Sequence, residues 1–305
     1  MELQLEEEGK TSLAGNIYVG QVETLAANIK AAFVRLPEGA NGYFPLSEEE
    51  RVIYTCGRKS QGPLHPGDEI LVQISRDAMK GKLPALTSNL NLPGRYLVLT
   101  TGNKKIGFSA KLSKEAKTLL AKWLQEEIEK PDKEYGLVVR TNAADATKEE
   151  LLRELSYLKQ LYEKVVVNGR HRTCFSCLYE AEPFYLATLR NTYTRNLEQI
   201  VTDQRDIYEK LAEYLKEFCP ERLSALTLYE DPLLPLYKLC RLEAALEEIR
   251  QEKVWLKSGG FLVIQQTEAF VSIDVNSGKF TGKKKAEGDL PQDQPGSGQG
   301  DRQTA

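Results

Sequence analysis

The sequence predicts an α+β chain built of several subdomains, opening on a small β-barrel. Three observations carry this. Residues 13–102 hold short runs rich in Val, Ile and Tyr, separated by Gly- and Pro-containing turns. The region that follows switches to helical spacing around one further strand. From about residue 184 onward, helix and short strand alternate, with no internal repeat.

The elements follow in order. The runs "NIYVGQVETL", "AAFVRLP", "EILVQISR" and "GRYLVLTT" read as strands, with "EGANG" and "LHPGD" as turns. Several such strands in about ninety residues suit a small barrel. Leu112, Leu119, Leu120, Trp123 and Leu124 mark an amphipathic helix, and "YGLVVRT" is the next strand. A second helix opens at Thr147, with Glu150 in capping-box position, and runs through Leu151, Leu155, Leu158 and Tyr162. "RDIYEKLAEYLKEF" and "PLYKLCRLEAALEEIRQ" are helical, "LSALTLY" is a strand, and "GFLVIQQTEAFVSIDV" reads as a hairpin. The last eighteen residues, "GDLPQDQPGSGQGDRQTA", contain no aromatic and a single Leu, and are expected to be disordered.

Bulk composition narrows the class. With 41% hydrophobic and 28% charged residues among 305, the balance is that of a globular protein. No apolar run approaches the ~18 residues that cross a bilayer, and "MELQLEEEGK" does not lead into a secretory signal, so no membrane partner is expected. Cys56, Cys174, Cys177, Cys219 and Cys240 are odd in number and scattered, which suits a reducing cytoplasm. A net charge of −3 argues against a globally basic nucleic-acid binder but leaves room for a local basic groove.

Three stretches carry chemistry. In the barrel, Phe33 and Tyr43 lie among Lys30, Arg35, Arg76, Lys80 and Lys82. Exposed aromatics beside cations can stack bases and hold a backbone, whereas the ordinary fate of such a Phe is the core. Arg140 and Thr141 end a strand before a polar loop, a donor set that suits a phosphate monoester or simply a surface strand end. In "AFVSIDVNSGKF", Asp274 and Asn276 share one face of a strand. That Asp is either a Mg²⁺ ligand or the cap of a turn. The pair Cys174 and Cys177, with His171 nearby, lacks the four ligands of a structural zinc site. The run "GKKKAE" reads as a solvated turn.

Residues 1 to about 287 resemble the bacterial ribonuclease E/G family. The likeness is carried by "GNIYVGQVETL", "AAFVRL", "GYFPL", "KLPALTSNLNLPGRYLVL", "GLVVRT" and "SGGFLVIQQTEAFVSIDVNSGKF". It implies an S1-type (OB-fold) barrel in which Phe33, Tyr43 and Lys82 contact single-stranded RNA. It implies a 5′-sensor in which Arg140 and Thr141 clasp a 5′-monophosphate, although the loop "NAADA" departs from the family's more Gly-containing version. It further implies a DNase I-like strand in which Asp274 binds Mg²⁺ and Asn276 assists the scissile phosphate.

The implied organisation is a ribonuclease H-like remnant at 1–12, the S1 domain at 13–102, the 5′-sensor at 103–184, a ribonuclease H-like continuation at 185–255, a partial DNase I-like catalytic part at 256–287, and the tail at 288–305. The implied activity is Mg²⁺-dependent endonucleolytic cleavage of rRNA precursors and mRNA in the cytoplasm, by a hydrolase whose intact relatives form homo-oligomers. The rival is a non-catalytic S1-domain RNA-binding protein. The family's second metal-binding Asp and its Cys-Pro-x-Cys zinc link are expected to be absent, and catalysis therefore impaired. Ordinary codons for the last eighteen residues, translated one base later, spell "ETFLKINLEAAKEIARQL", close to the family's next helix, so the tail is expected to be a frameshift product.

Overall fold

The computed structural model describes residues 12–56, 63–79, 81–131, 133–192, 197–268 and 270–277. The remnant expected at 1–12 (Ser12 apart), the tail at 288–305, the "GKKKAE" turn and Lys80 lie outside them. The chain divides into two compact units, residues 1–197 and 198–305.

The first unit begins with β1 (Ile17–Ala26), β2 (Ala31–Arg35), β3 (Asn41–Pro45), β4 (Ile53–Tyr54), β5 (Glu69–Arg76) and β6 (Ala85–Thr87). Strand β1 pairs with β2, β2 with β3, β3 with β6 and β6 with β5, and β5 returns to β1. The circuit closes a five-stranded barrel of the OB type and leaves those strands no open edge. Side-chain alternation fills it: Ala32, Val34, Phe44, Ile70, Val72 and Ile74 form its interior. Their neighbours Ile17, Val19 and Leu71 point the other way and are equally buried, in a second core.

That second core is built by β7 (Asn91–Pro93), β8 (Leu97–Thr100), β9 (Ile106–Phe108), α1 (Lys114–Trp123), α2 (Gln125–Ile128), β10 (Gly136–Val139) and α3 (Lys148–Tyr162). The sheet order is β7-β8-β10-β9. Strands β7 and β8 fall inside the expected 13–102 barrel span, yet they hydrogen-bond within this sheet. The local residues specify a strand; its partner is chosen by which buried face Leu92, Leu97 and Leu99 can join. Helix α3 starts at the expected capping box: Glu150 N–H donates to Thr147 Oγ1 and Thr147 N–H to Glu150 Oε2. Leu151, Leu155, Leu158 and Tyr162 then line its buried face. Strand β11 (Cys177–Tyr179) pairs with β1, and α4 (Phe184–Asn191) completes the unit.

In the second unit, β12 (Ile200–Thr202) and β13 (Leu226–Leu228) are parallel, joined through α5 (Arg205–Phe218). Leu211, Tyr214 and Leu215 form the buried stripe of α5. After α6 (Leu236–Leu239) and α7 (Leu242–Arg250) come β14 (Lys253–Trp255), β15 (Phe261–Gln266) and β16 (Val271–Asn276), an antiparallel meander that contains the expected hairpin.

Candidate nucleic-acid interface

Period-two alternation decides which barrel aromatics are core. In "GYFPL", Phe44 is 0% exposed inside the barrel, which puts Tyr43 on the outer face. In "AAFVRL", Ala32 and Val34 point inward and Phe33 outward, directly opposite Tyr43. Both rings are half-buried. A tight turn brings Lys82 beside them, with Lys82 N–H donating to Met79 O at 2.8 Å and Gly81 at φ +79°. Phe33, Tyr43 and Lys82 line one cavity of about 600 Å³, with Ile29, Arg76 and Met79 on its walls. Met79 and Ile29 carry no sequence signal; exposed on the rim at 65% and 49%, they are brought there by the tertiary fold alone.

Arg140 follows β10 and is held from two distant segments. Its Nη1 donates to Gly94 O and its Nη2 to Asn191 Oδ1, each at 2.7 Å. Thr141 Oγ1 lies 3.0 Å from Ser109 Oγ. Behind Gly94, Glu154 of α3 accepts N–H bonds from Arg95, Tyr96 and Leu97 at 2.7–2.8 Å. A Cβ on Gly94 would lie 2.5 Å from Glu154 Oε1, so any side chain there would push the carboxylate out of its present position. Burial pushes the Glu154 pKa up, and the three backbone donors and Arg140 offset this in part. The "RT" pair is thus the end of a braced assembly. No local pattern marks Glu154 or Asn191, since their partners lie 58 and 51 residues away.

On β16, Asn276 Nδ2 donates to Asp274 Oδ2 at 2.8 Å, so the two share a face as expected. Registers across the meander assign the rest of that face: Lys253, Val263 and Asp274 form one row, and Trp255, Phe261 and Asn276 the next. The reverse face carries Val254, Leu262, Ile264, Val271, Ile273 and Val275. Asp274 is exposed. Among the described residues no group of three or more His, Cys, Asp or Glu is placed to hold a metal, which covers Cys174, Cys177 and His171 as well.

A family model described as the ribonuclease E/G family matches residues 91–291, about two thirds of the chain. The chain belongs to the ribonuclease E/G family. It is 30% identical over 293 residues to ribonuclease G of Escherichia coli strain K12, covering 93% of this chain and 59% of that protein. Ribonuclease E of Haemophilus influenzae is 30% identical over 287 residues, covering 92% of this chain and 30% of its own length. Ribonuclease E of Synechocystis is 30% identical over 272 residues, covering 88% and 40%. The chain therefore spans about three fifths of the ribonuclease G relatives it matches. The family match includes Arg140, Thr141, Asp274 and Asn276. Among the described residues, no helix of this family member is long and apolar enough to cross a membrane.

Proposed function

We propose that this chain grips single-stranded RNA on the outer face of its barrel and presents Asp274 and Asn276 on β16 to a Mg²⁺-dependent endoribonuclease site. The observation that carries the first part is the convergence of Phe33, Tyr43 and Lys82 on one cavity from three separate stretches of sequence. Two outward rings offer bases a stacking surface, and the lysine and Arg76 supply charge for the phosphates. Arg140, rigidly held by Gly94 and Asn191, keeps its charge fixed near Thr141, an arrangement suited to a 5′-monophosphate.

Asp274 fits a hydrated Mg²⁺, which takes only one or two protein carboxylates and retains waters. The exposed carboxylate is oriented by Asn276, whose amide can turn from it to a phosphate oxygen. Bound there, Mg²⁺ would stabilise charge on the scissile phosphate and help orient an attacking water. Held by Asp274 alone among the described residues, the ion would be weakly bound and cleavage correspondingly slow. RNA classes such as rRNA precursors and mRNA, a cytoplasmic setting and homo-oligomerisation belong to the same family reading.

That Asp274 has no second carboxylate beside it among the described residues is the observation behind a second reading, a non-catalytic S1-type RNA-binding protein. Incubating the chain with 5′-labelled single-stranded RNA, with and without Mg²⁺, separates the two. Slow Mg²⁺-dependent cleavage that Asp274→Asn abolishes supports the nuclease. Intact binding with no cleavage at any Mg²⁺ concentration selects the binding protein, and absence of RNA binding overturns both.

A further inference from the structure

The meander that carries Asp274 also carries an unassigned aromatic cluster on the same face. Trp255 and Phe261 are directly paired across β14 and β15, their rings 5.2 Å apart and tilted at 58°. Lys253, two residues before Trp255 on β14, places its ammonium 3.7 Å from the Phe261 centroid and 4.4 Å from that of Trp255. Phe261 in turn lies directly opposite Asn276. Two strand spacings, about 10 Å, separate the backbone of Lys253 from that of Asp274.

We infer that Trp255, Phe261 and Lys253 form a nucleobase-stacking subsite for single-stranded RNA, beside Asp274 and Asn276. The inference rests on the ribonuclease reading of those two residues. Its own support is the division of labour between the sheet's faces. Aliphatic side chains occupy the reverse face, which is the one suited to hydrophobic packing. Both faces are open to solvent, Val254, Ile264, Val271 and Ile273 on the reverse one being 36–55% exposed. Only the Asp274 face combines aromatic rings, a cation and polar side chains beside Val263. Trp255 keeps 65% of its surface exposed despite its contacts with Phe261 and Lys253, which leaves area for a flat partner. Lys253 is held by the rings through cation–π attraction and can move from them to a phosphate when a base stacks. Aromatic faces plus one cation match the chemistry of a single-stranded polynucleotide, with bases to stack and phosphates to neutralise.

The chain has two tryptophans, Trp123 and Trp255, so Trp123→Phe leaves Trp255 as the sole reporter. This full-length variant is titrated with an unmodified oligoadenylate, and binding of a dye-labelled copy is followed in parallel by polarisation. Expected is saturable quenching of Trp255 emission with the midpoint seen by polarisation. In the otherwise wild-type chain, Trp255→Leu should weaken oligoadenylate binding by about 5- to 150-fold, while Trp255→Phe should largely restore it. Polarisation that reports binding while Trp255 emission stays unchanged overturns the subsite and leaves the barrel reading standing. No polarisation change at all refutes RNA binding itself. If Trp255→Leu alters sedimentation but not RNA affinity, the cluster is a protein contact and the inference fails.

Discussion

Replacing Phe33 and Phe44 separately by alanine tests the assignment of barrel faces. The two lie on neighbouring strands in similar sequence surroundings, yet Phe44 is wholly enclosed and Phe33 lines the outer cavity. Phe44→Ala leaves a hole in a closed barrel and should cost roughly 3–5 kcal/mol of stability. Phe33→Ala loses the cross-strand pair with Tyr43, about 0.2–1 kcal/mol, and some half-buried area. Its larger effect should fall on RNA: one stacked base is worth ~1–3 kcal/mol, a loss of about 5- to 150-fold in affinity. Thermal unfolding and polarisation of a labelled single-stranded RNA at fixed salt measure the two quantities side by side. The expected pattern is a folded Phe33→Ala protein with weak binding and a destabilised Phe44→Ala protein. A Phe33→Ala protein that melts early but, while folded, binds normally would refute the reasoning, because the ring would then be core after all.

Removing Lys82 should flatten the dependence of log affinity on log salt by about 0.7, the share of one single-strand phosphate contact; an unchanged slope removes it from the interface. Arg140→Lys keeps the charge but cannot hold Gly94 O and Asn191 together, so any preference for 5′-monophosphorylated over 5′-hydroxyl RNA should shrink; equal preference in both proteins refutes the sensor role. Buried Glu127 accepts from Tyr135 Oη at 2.5 Å and Lys159 Nζ at 2.7 Å. Burial raises its pKa, but those two partners outweigh it and the net shift is downward. Its stabilisation is thus present above the unfolded carboxylate range and lost as pH falls through the depressed folded value. Glu127→Gln should cost ~1–3 kcal/mol at neutral pH, and denaturant melts should show the gap to wild type closing in acid; a pH-independent gap excludes the charge.

Local sequence was sufficient wherever a structure depends on neighbours within a turn or two. The capping box at Thr147 and Glu150, the apolar stripe of α3 and the hairpin of β15 and β16 follow from spacing, because those bonds close over a few residues. The family, too, was legible in short motifs such as "GLVVRT" and "SIDVNSGKF". Pairing partners were not. Strand β8 joins β10 rather than the barrel, although its own residues suit either sheet. Phe33 and Phe44 are both aromatics in strands, and only the register that buries Ala32 and Val34 turns one outward and the other in. The brace of Arg140 by Gly94 and Asn191, and the row joining Trp255 and Phe261 to Asn276, likewise join segments distant along the chain. A one-residue slip reverses every side chain of a strand, so which face meets solvent is set by the burial of the whole core and not by any strand alone.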